Sequence, residues 1–126
     1  MRYLTLLRGT HSTTPPPPEL MEAIMTLGQE ATRSGALLDT AGLAPSASGA
    51  RISLAGNELT TIDGPFAESK EVISYAIYDV RSKEEAVEWA ARFLKAHRDL
   101  WPGWEGDARV LRVFGPEDFG PDGPQI

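Results

Sequence analysis

Asp63 is the residue best suited to chemistry in this chain, and it opens the segment Asp-Gly-Pro-Phe-Ala-Glu-Ser-Lys-Glu. It follows a predicted strand and begins a rigid turn, which would hold its carboxylate at the mouth of a cleft. A carboxylate in that position can act as a general base. The alternative is structural: Asp63 caps the turn and Gly64 takes a positive φ, while Phe66 fills the core rather than contacting a substrate. The residues leave both interpretations open.

Three basic residues are candidates for the same site. Arg8 ends the first predicted strand, where its guanidinium would clamp a carboxylate or pair with an acidic neighbour. His11 lies in the next loop, where an imidazole suits acid–base work or simply faces solvent. Lys70 would bind an anionic substrate, or form a surface ion pair worth under about 1 kcal/mol. We therefore predict Asp63 and His11 as catalytic candidates, with Arg8, Phe66 and Lys70 as substrate contacts.

Two tryptophans, Trp101 and Trp104, bracket a Pro-Gly turn after the second predicted helix. Their indole rings would wall an apolar pocket, or they would anchor the loop and its contacts with a second subunit. His97 lies near the end of that helix, where a cationic ring would interact favourably with the helix dipole.

Other kinds of chemistry lack the residues they need. The chain has no cysteine, which excludes disulfides and thiolate metal sites. His11 and His97 do not have the spacing of metal ligands, so we expect no metal. There is no glycine-rich phosphate loop and no nucleophile elbow. We therefore expect no cofactor.

Hydrophobic periodicity divides the chain into two β-α-β units separated by a hairpin. Gly56-Asn57 favours the positive φ of a hairpin turn, and Gly35 suits a left-handed helix cap. The predicted strands are 2–8, 36–43, 51–55, 58–62, 72–80 and 108–114, and the predicted helices are 19–34 and 82–100. This order indicates an α+β domain over residues 1–114, of the ferredoxin-like split βαβ type with an extra hairpin. The Gly-, Pro- and acid-rich tail, 115–126, has a composition typical of disorder.

The strands are apolar on both faces, which predicts a homodimer. Along 72–80, one face would hold Val72, Ala76, Tyr78 and Val80, and the other would hold Ile73, Tyr75 and Ile77. Two helices cover only one face of a sheet, so the other needs a second cover. The same face of a second subunit would provide it. The alternative is that the tail and the Trp101–Trp104 loop fold back over this face.

Charge and hydropathy exclude several partners. The 126 residues carry a formal net charge of -6, and an acidic chain has no electrostatic attraction to nucleic acid or anionic lipid. The apolar stretch at the N-terminus is too short for a membrane span or a signal peptide. We expect a cytoplasmic protein with no nucleic-acid or membrane partner.

The segment from Asp63 to Glu71, the strand Ile-Ser-Tyr-Ala-Ile-Tyr-Asp-Val after it and the helical Glu-Trp-Ala-Ala-Arg-Phe resemble the YCII-related, DGPF-motif proteins. The resemblance covers residues 1–114 and implies a dimeric α+β barrel, a fold shared with several small-molecule enzymes. It also implies a link to extracytoplasmic-function sigma factors, which many DGPF proteins have. Founding members of the wider family pair a His on the first helix with an Asp on the next strand. Here Asp39 would match that Asp, but the first helix has no His.

These observations leave three functional hypotheses. In the first, the dimer binds a small molecule in a cleft near the Asp63 turn and is a cofactor-free acid–base enzyme or a binding protein. In the second, it is a regulatory module tied to a sigma factor, without catalysis. In the third, it is a purely structural dimer.

Overall fold

The structure is a computed structural model that describes residues 1–10 and 14–121. Its elements are β1 Arg2–Gly9, α1 Pro18–Arg33, β2 Leu37–Gly42, β3 Ala50–Ala55, β4 Glu58–Asp63, β5 Glu71–Asp79, α2 Lys83–Leu100 and β6 Gly106–Arg112. The predicted order of elements is confirmed. The last strand begins two residues earlier than predicted, because Gly106 and Asp107 already pair with Gly9 and Arg8.

The main sheet has the order β2-β5-β1-β6, and every neighbouring pair is antiparallel. The two helices pack against one face, and a buried cluster that includes Tyr3, Ala31, Tyr78 and Ala86 lies between them and the sheet. This arrangement is an α+β fold with the ferredoxin-like strand order, as predicted. We call the surface of the sheet away from the helices the second face.

Local signals in the sequence act as expected at the ends of the helices. Gly35 follows α1 with a φ of +81°. Ser82 Oγ accepts a hydrogen bond of 3.2 Å from the amide of Glu85 at the start of α2. The predicted capping box is not fully reciprocal, because the Glu85 carboxylate accepts from the amide of Arg81 instead of Ser82.

The predicted hairpin, β3–β4, is a separate two-stranded sheet inserted between β2 and β5. Its turn contains Gly56 and Asn57, with φ values of +57° and +63°. Nearly every residue in both strands is exposed. The hairpin therefore adds little to the core.

A register shift between β1 and β5 corrects the predicted faces of β5. Leu7 lies opposite Ser74, but the next residue, Arg8, lies opposite Val72, so Ile73 is an extra residue in the ladder. An ideal Cβ atom at Gly9 would be 2.6 Å from Ile73 Cδ1, which places the Ile73 side chain on the helix side. Val72 is on the second face with Arg8, so the predicted grouping of Ile73 with Tyr75 and Ile77 is wrong.

The chain after β6 forms a short turn over Pro116–Asp118, although its composition is typical of disorder. Asp118 accepts hydrogen bonds from the amide of Gly115, at 2.7 Å, and from Arg112, at 3.1 Å. The rings of Phe114 and Phe119 meet edge to face with centroids 5.8 Å apart. Residues 122–126 lie outside the described part.

Candidate functional site

A cleft of about 730 Å³ lies on the helix side of the sheet, between the start of α1, the end of β1, the start of β5 and the segment after α2. Most of its lining side chains are aliphatic or aromatic, including Leu7, Leu20, Met21, Ile24, Ile73 and Phe93. Concave apolar sites with few polar groups are typical of small-molecule pockets. This cleft is the candidate functional site.

His97 contributes the imidazole of this cleft. It is only 5% exposed and lies at the last turn of α2, with its ring among those of Phe93, Trp101 and Trp104 at centroid distances of 4.9, 6.5 and 4.5 Å. Its Nδ1 is 2.9 Å from the carbonyl oxygen of Phe93. Because a carbonyl only accepts, Nδ1 carries the hydrogen in that bond. Nε2 then presents a lone pair, and no described residue donates to it.

The environment of His97 keeps its ring neutral. Burial lowers the pKa of His97 below its ordinary value of 6.5, and the bond to Phe93 opposes this only in part. The lowered pKa disfavours the charged form of the ring, so the interaction of His97 with the helix dipole stays a prediction. Spacing on the helix does not reveal this burial, which depends on the Trp loop.

Trp101 and Trp104 line the cleft, where their rings form part of its apolar wall. Their rings are stacked with centroids 6.2 Å apart, and Gly103 between them has a φ of +84°. Trp104 lies against two glycines at the end of the sheet, Gly9 and Gly106, where any Cβ atom would clash with its ring. The two glycines therefore make room for the Trp104 wall.

The Asp63 turn is next to the cleft but does not place Asp63 in it. Asp63 is exposed at the end of β4 and pairs with Ala50. Its carboxylate makes no hydrogen bond to another described residue, so it neither caps the turn nor faces the cleft. Phe66 is half-buried under the guanidinium of Arg51, at 5.5 Å, and does not belong to the core.

Ser46 explains why glycine follows Asp63. A Cβ atom at Gly64 would overlap the carbonyl oxygen of Ser46. The predicted positive φ at Gly64 is wrong, because Gly64 is not among the residues with a positive φ. The position requires glycine because its backbone lies against the backbone of Ser46. Ser46 Oγ accepts from the amide of Phe66 at 3.1 Å and donates to Glu71 Oε1 at 2.7 Å. The bonds tie this turn to Glu71, which lines the cleft.

Arg8 and Lys70 meet outside the cleft, at an acidic residue that the sequence analysis missed. Arg8 donates to both carboxylate oxygens of Asp107, each at 3.3 Å, and Lys70 donates to Oδ2 at 3.2 Å. These hydrogen bonds, from Arg8 first and then Lys70, lower the pKa of Asp107. Arg8 and Asp107 are opposite each other in β1 and β6, so only the strand register shows the pair.

The predicted candidate His11 lies outside the described residues. Asp39 accepts a hydrogen bond of 3.0 Å from the hydroxyl of Tyr75, and this bond raises the pKa of Tyr75. The Asp39–Tyr75 pair lies on the second face, away from the cleft. The catalytic and binding roles of the sequence-predicted residues stay predictions. Among the predicted site residues that the structure describes, only Trp101 and Trp104 line the cleft.

A four-stranded antiparallel sheet with two helices on one face and a side cleft defines an α+β protein of the ferredoxin-like class. The family model for the YCII-related domain matches residues 1–101, so the chain belongs to that family. No curated protein matches the chain.

Residues 1–10 and 14–121 contain neither a membrane-spanning helix nor a metal-binding cluster. Neither described helix combines the length and apolar character needed to cross a bilayer. Among the same residues, no group of three or more His, Cys, Asp or Glu side chains could hold a metal ion.

The contact at Gly64 predicts a substitution with a large effect. Gly64→Ala should lower the free energy of unfolding by roughly 2 kcal/mol or more, because the new methyl group would displace the backbone of Ser46. Urea denaturation measures the change. The matched control is Gly28→Ala in α1, where no atom lies within 4 Å of the new Cβ. It should stabilise the protein by about 0.5–1 kcal/mol. Equal effects of the two substitutions would contradict the packing argument.

The burial of His97 predicts how stability depends on pH. Below about pH 6.5 the unfolded chain binds a proton at this ring that the folded chain does not, so acid favours unfolding. Wild type should therefore lose more unfolding free energy than His97→Phe when the pH falls from about 7.5 to about 5. Urea denaturation at the two pH values measures this difference, in which the contributions of the other titrating groups largely cancel. Equal losses in the two proteins would mean that His97 titrates normally.

Proposed function

We propose that this protein binds a small, mainly apolar molecule in the cleft, with a hydroxyl or N–H group of the ligand donating to Nε2 of His97. The observation that carries the proposal is the buried neutral imidazole. Its Nδ1 is already bonded to Phe93, and its Nε2 lone pair has no donor among the described residues. A ligand that donates to this free lone pair at the wall of an apolar cleft would gain a hydrogen bond there.

The charges around the cleft favour an uncharged ligand. Apart from His97, Glu71 is the one titratable side chain among the described lining residues, and Ser46 donates two hydrogen bonds to it. Arg8 and Lys70 pair with Asp107 instead of facing this space. An anionic ligand would lose its hydration without gaining a cationic partner among the described lining residues, and a cationic ligand would compete with Ser46 for the Glu71 carboxylate. An aromatic or aliphatic body between Trp101 and Phe93 would bury apolar surface.

The same geometry would support proton transfer without a cofactor. His97 Nε2 is unprotonated near neutral pH and would accept a proton from an acidic O–H or C–H group of a bound molecule. We therefore propose His97, rather than Asp63, as the general base if the cleft is catalytic. Its bond to the Phe93 carbonyl would hold the ring in the required tautomer.

An interaction module without catalysis is a second candidate, and the β3–β4 hairpin favours it. Ile52, Leu54 and Leu59 share one face of the hairpin and are 68%, 71% and 73% exposed. A two-stranded hairpin with an uncovered apolar face is only marginally stable in water. A protein partner that covered this face would stabilise it. This candidate gains weight if the cleft binds no ligand.

We also propose that two copies pair through the second face. Leu111 and Val72 are 50% and 38% exposed there, and Leu4, Leu6 and Ile77 lie between them in the strand register. The Trp101–Trp104 loop, the predicted alternative cover, lies on the helix side against Gly9. A two-fold axis through this face would bury the apolar centre. The ion pairs of Asp107 and the Asp39–Tyr75 hydrogen bond would then lie at the edges of the interface.

Two phenyl compounds test the cleft proposal. 4-Butylphenol should bind about fivefold tighter than 4-butylanisole, because only the phenol donates a hydrogen bond, worth about 1 kcal/mol, to His97. In His97→Phe the ring stacking is kept and the acceptor is lost, so the two affinities should become nearly equal. Isothermal titration calorimetry gives both ratios. An unchanged preference for the phenol in His97→Phe would remove His97 from the site, and no binding of either compound would favour the interaction module.

The pairing proposal predicts a molecular mass of twice 13.7 kDa for wild type in sedimentation equilibrium. Leu111→Glu should weaken the dimer about a hundredfold, since the lost apolar contact occurs twice across the two-fold axis. Val87→Glu is the matched control, because Val87 is 45% exposed on α2, on the opposite side of the sheet. A wild-type mass of 13.7 kDa at micromolar concentration, or an intact dimer in Leu111→Glu, would overturn the proposal.

A further inference from the structure

A smaller cavity of about 80 Å³ adjoins the cleft, beneath α1 and against the centre of the sheet. The two spaces have five lining residues in common: Leu7, Ile24, Thr40, Ser74 and Phe93. They therefore meet at these side chains. The inner cavity has no charged residue among its described lining, and most of its wall is aliphatic or aromatic.

Thr5 lines this inner cavity from β1, and its hydroxyl is the unusual group there. The residue is 6% exposed, and Oγ1 is a fully buried side-chain atom that has no hydrogen-bond partner in the described chain. Its neighbour Thr40, by contrast, donates to the carbonyl of Tyr75 at 2.8 Å. Burying a hydroxyl without a partner costs about 1–3 kcal/mol.

Packing alone does not explain a threonine at this position. Valine has the same branched shape, suits a strand equally well and would bury no hydroxyl. Thr5 therefore has a reason to be polar only if the inner cavity receives a polar group. A cavity of this size holds either an ordered water molecule or the end of a ligand. Its contact with the cleft favours the ligand.

We infer that the ligand of the cleft extends past Phe93 into the inner cavity and ends there in a small uncharged polar group, to which rotation about χ1 of Thr5 turns its Oγ1. This inference rests on the proposed function and narrows its ligand class. The ligand has a donor at one end for His97, an apolar middle, and a hydroxyl or carbonyl at the other end. A hydroxyl both donates and accepts, so Thr5 suits either terminal group. A charged end is excluded by the uncharged lining.

Two compounds of nearly equal shape test this inference. They are 4-butylphenol and 3-(4-hydroxyphenyl)propan-1-ol, in which a hydroxyl replaces the terminal methyl group. Thr5→Val keeps the shape of residue 5 and removes its hydroxyl, whereas Thr5→Ser keeps the hydroxyl. The affinity of the alcohol relative to 4-butylphenol should fall about fivefold or more in Thr5→Val, and it should stay within about twofold of wild type in Thr5→Ser. Calorimetric titration of the three proteins measures the ratios.

The inference is overturned if the affinity of the alcohol relative to 4-butylphenol is the same in Thr5→Val as in wild type. That result would mean that the ligand does not bond to the Thr5 hydroxyl. The proposed function survives that result as long as phenol binding still depends on His97. A loss of His97 dependence, with the Thr5 effect present, would instead contradict the proposed function and leave an inner subsite. Thr5→Ala takes the place of Thr5→Val if the latter does not fold, with the same loss expected.

Discussion

The register shift between β1 and β5 determines which side chains meet in the cleft. One extra residue in β5 places Ile73 on the helix side beside Gly9, while Val72 passes to the second face with Arg8. Without the shift, strict alternation would exchange these two side chains. The apolar wall that Ile73 forms next to Trp104 therefore depends on a local irregularity in one ladder. Bulges often redirect side chains next to functional sites.

Three glycines allow the close packing around the cleft, because a side chain at any of them would clash with a neighbouring residue. Gly9 and Gly106 leave space for Trp104 at the end of the sheet, and Gly64 leaves space for the Ser46 carbonyl. Trp104 then packs against the ring of His97, and burial lowers the pKa of that imidazole. Two small residues at the end of the sheet thus allow the packing that buries His97.

The two faces of the sheet differ in their polar groups. The helix side holds His97, Thr5 and one carboxylate, Glu71, around a mainly apolar space. The second face holds the Arg8–Asp107 ion pair beside an apolar centre, and Lys70 donates to the same Asp107. This arrangement supports the proposals of an uncharged ligand on one side and a symmetric partner on the other. Arg8 and the two tryptophans, which were predicted to contact the same substrate, therefore lie on opposite faces of the sheet.

Local and periodic signals in the sequence were sufficient for the α+β class and the order of the elements, and the resemblance of the Asp63–Glu71 segment to known proteins indicated the YCII-related family. The Ser82 cap, the Gly35 cap and the Gly56-Asn57 turn depend only on residues near them in the chain, so each was predictable. The candidate site was not predictable in this way. His97 is buried because a loop covers it, Asp107 binds Arg8 because strand pairing places the two residues opposite each other, and Asp63 is exposed at the end of a hairpin that stands outside the main sheet. Each of these outcomes depends on contacts between residues distant in the chain, and tertiary packing alone decides them.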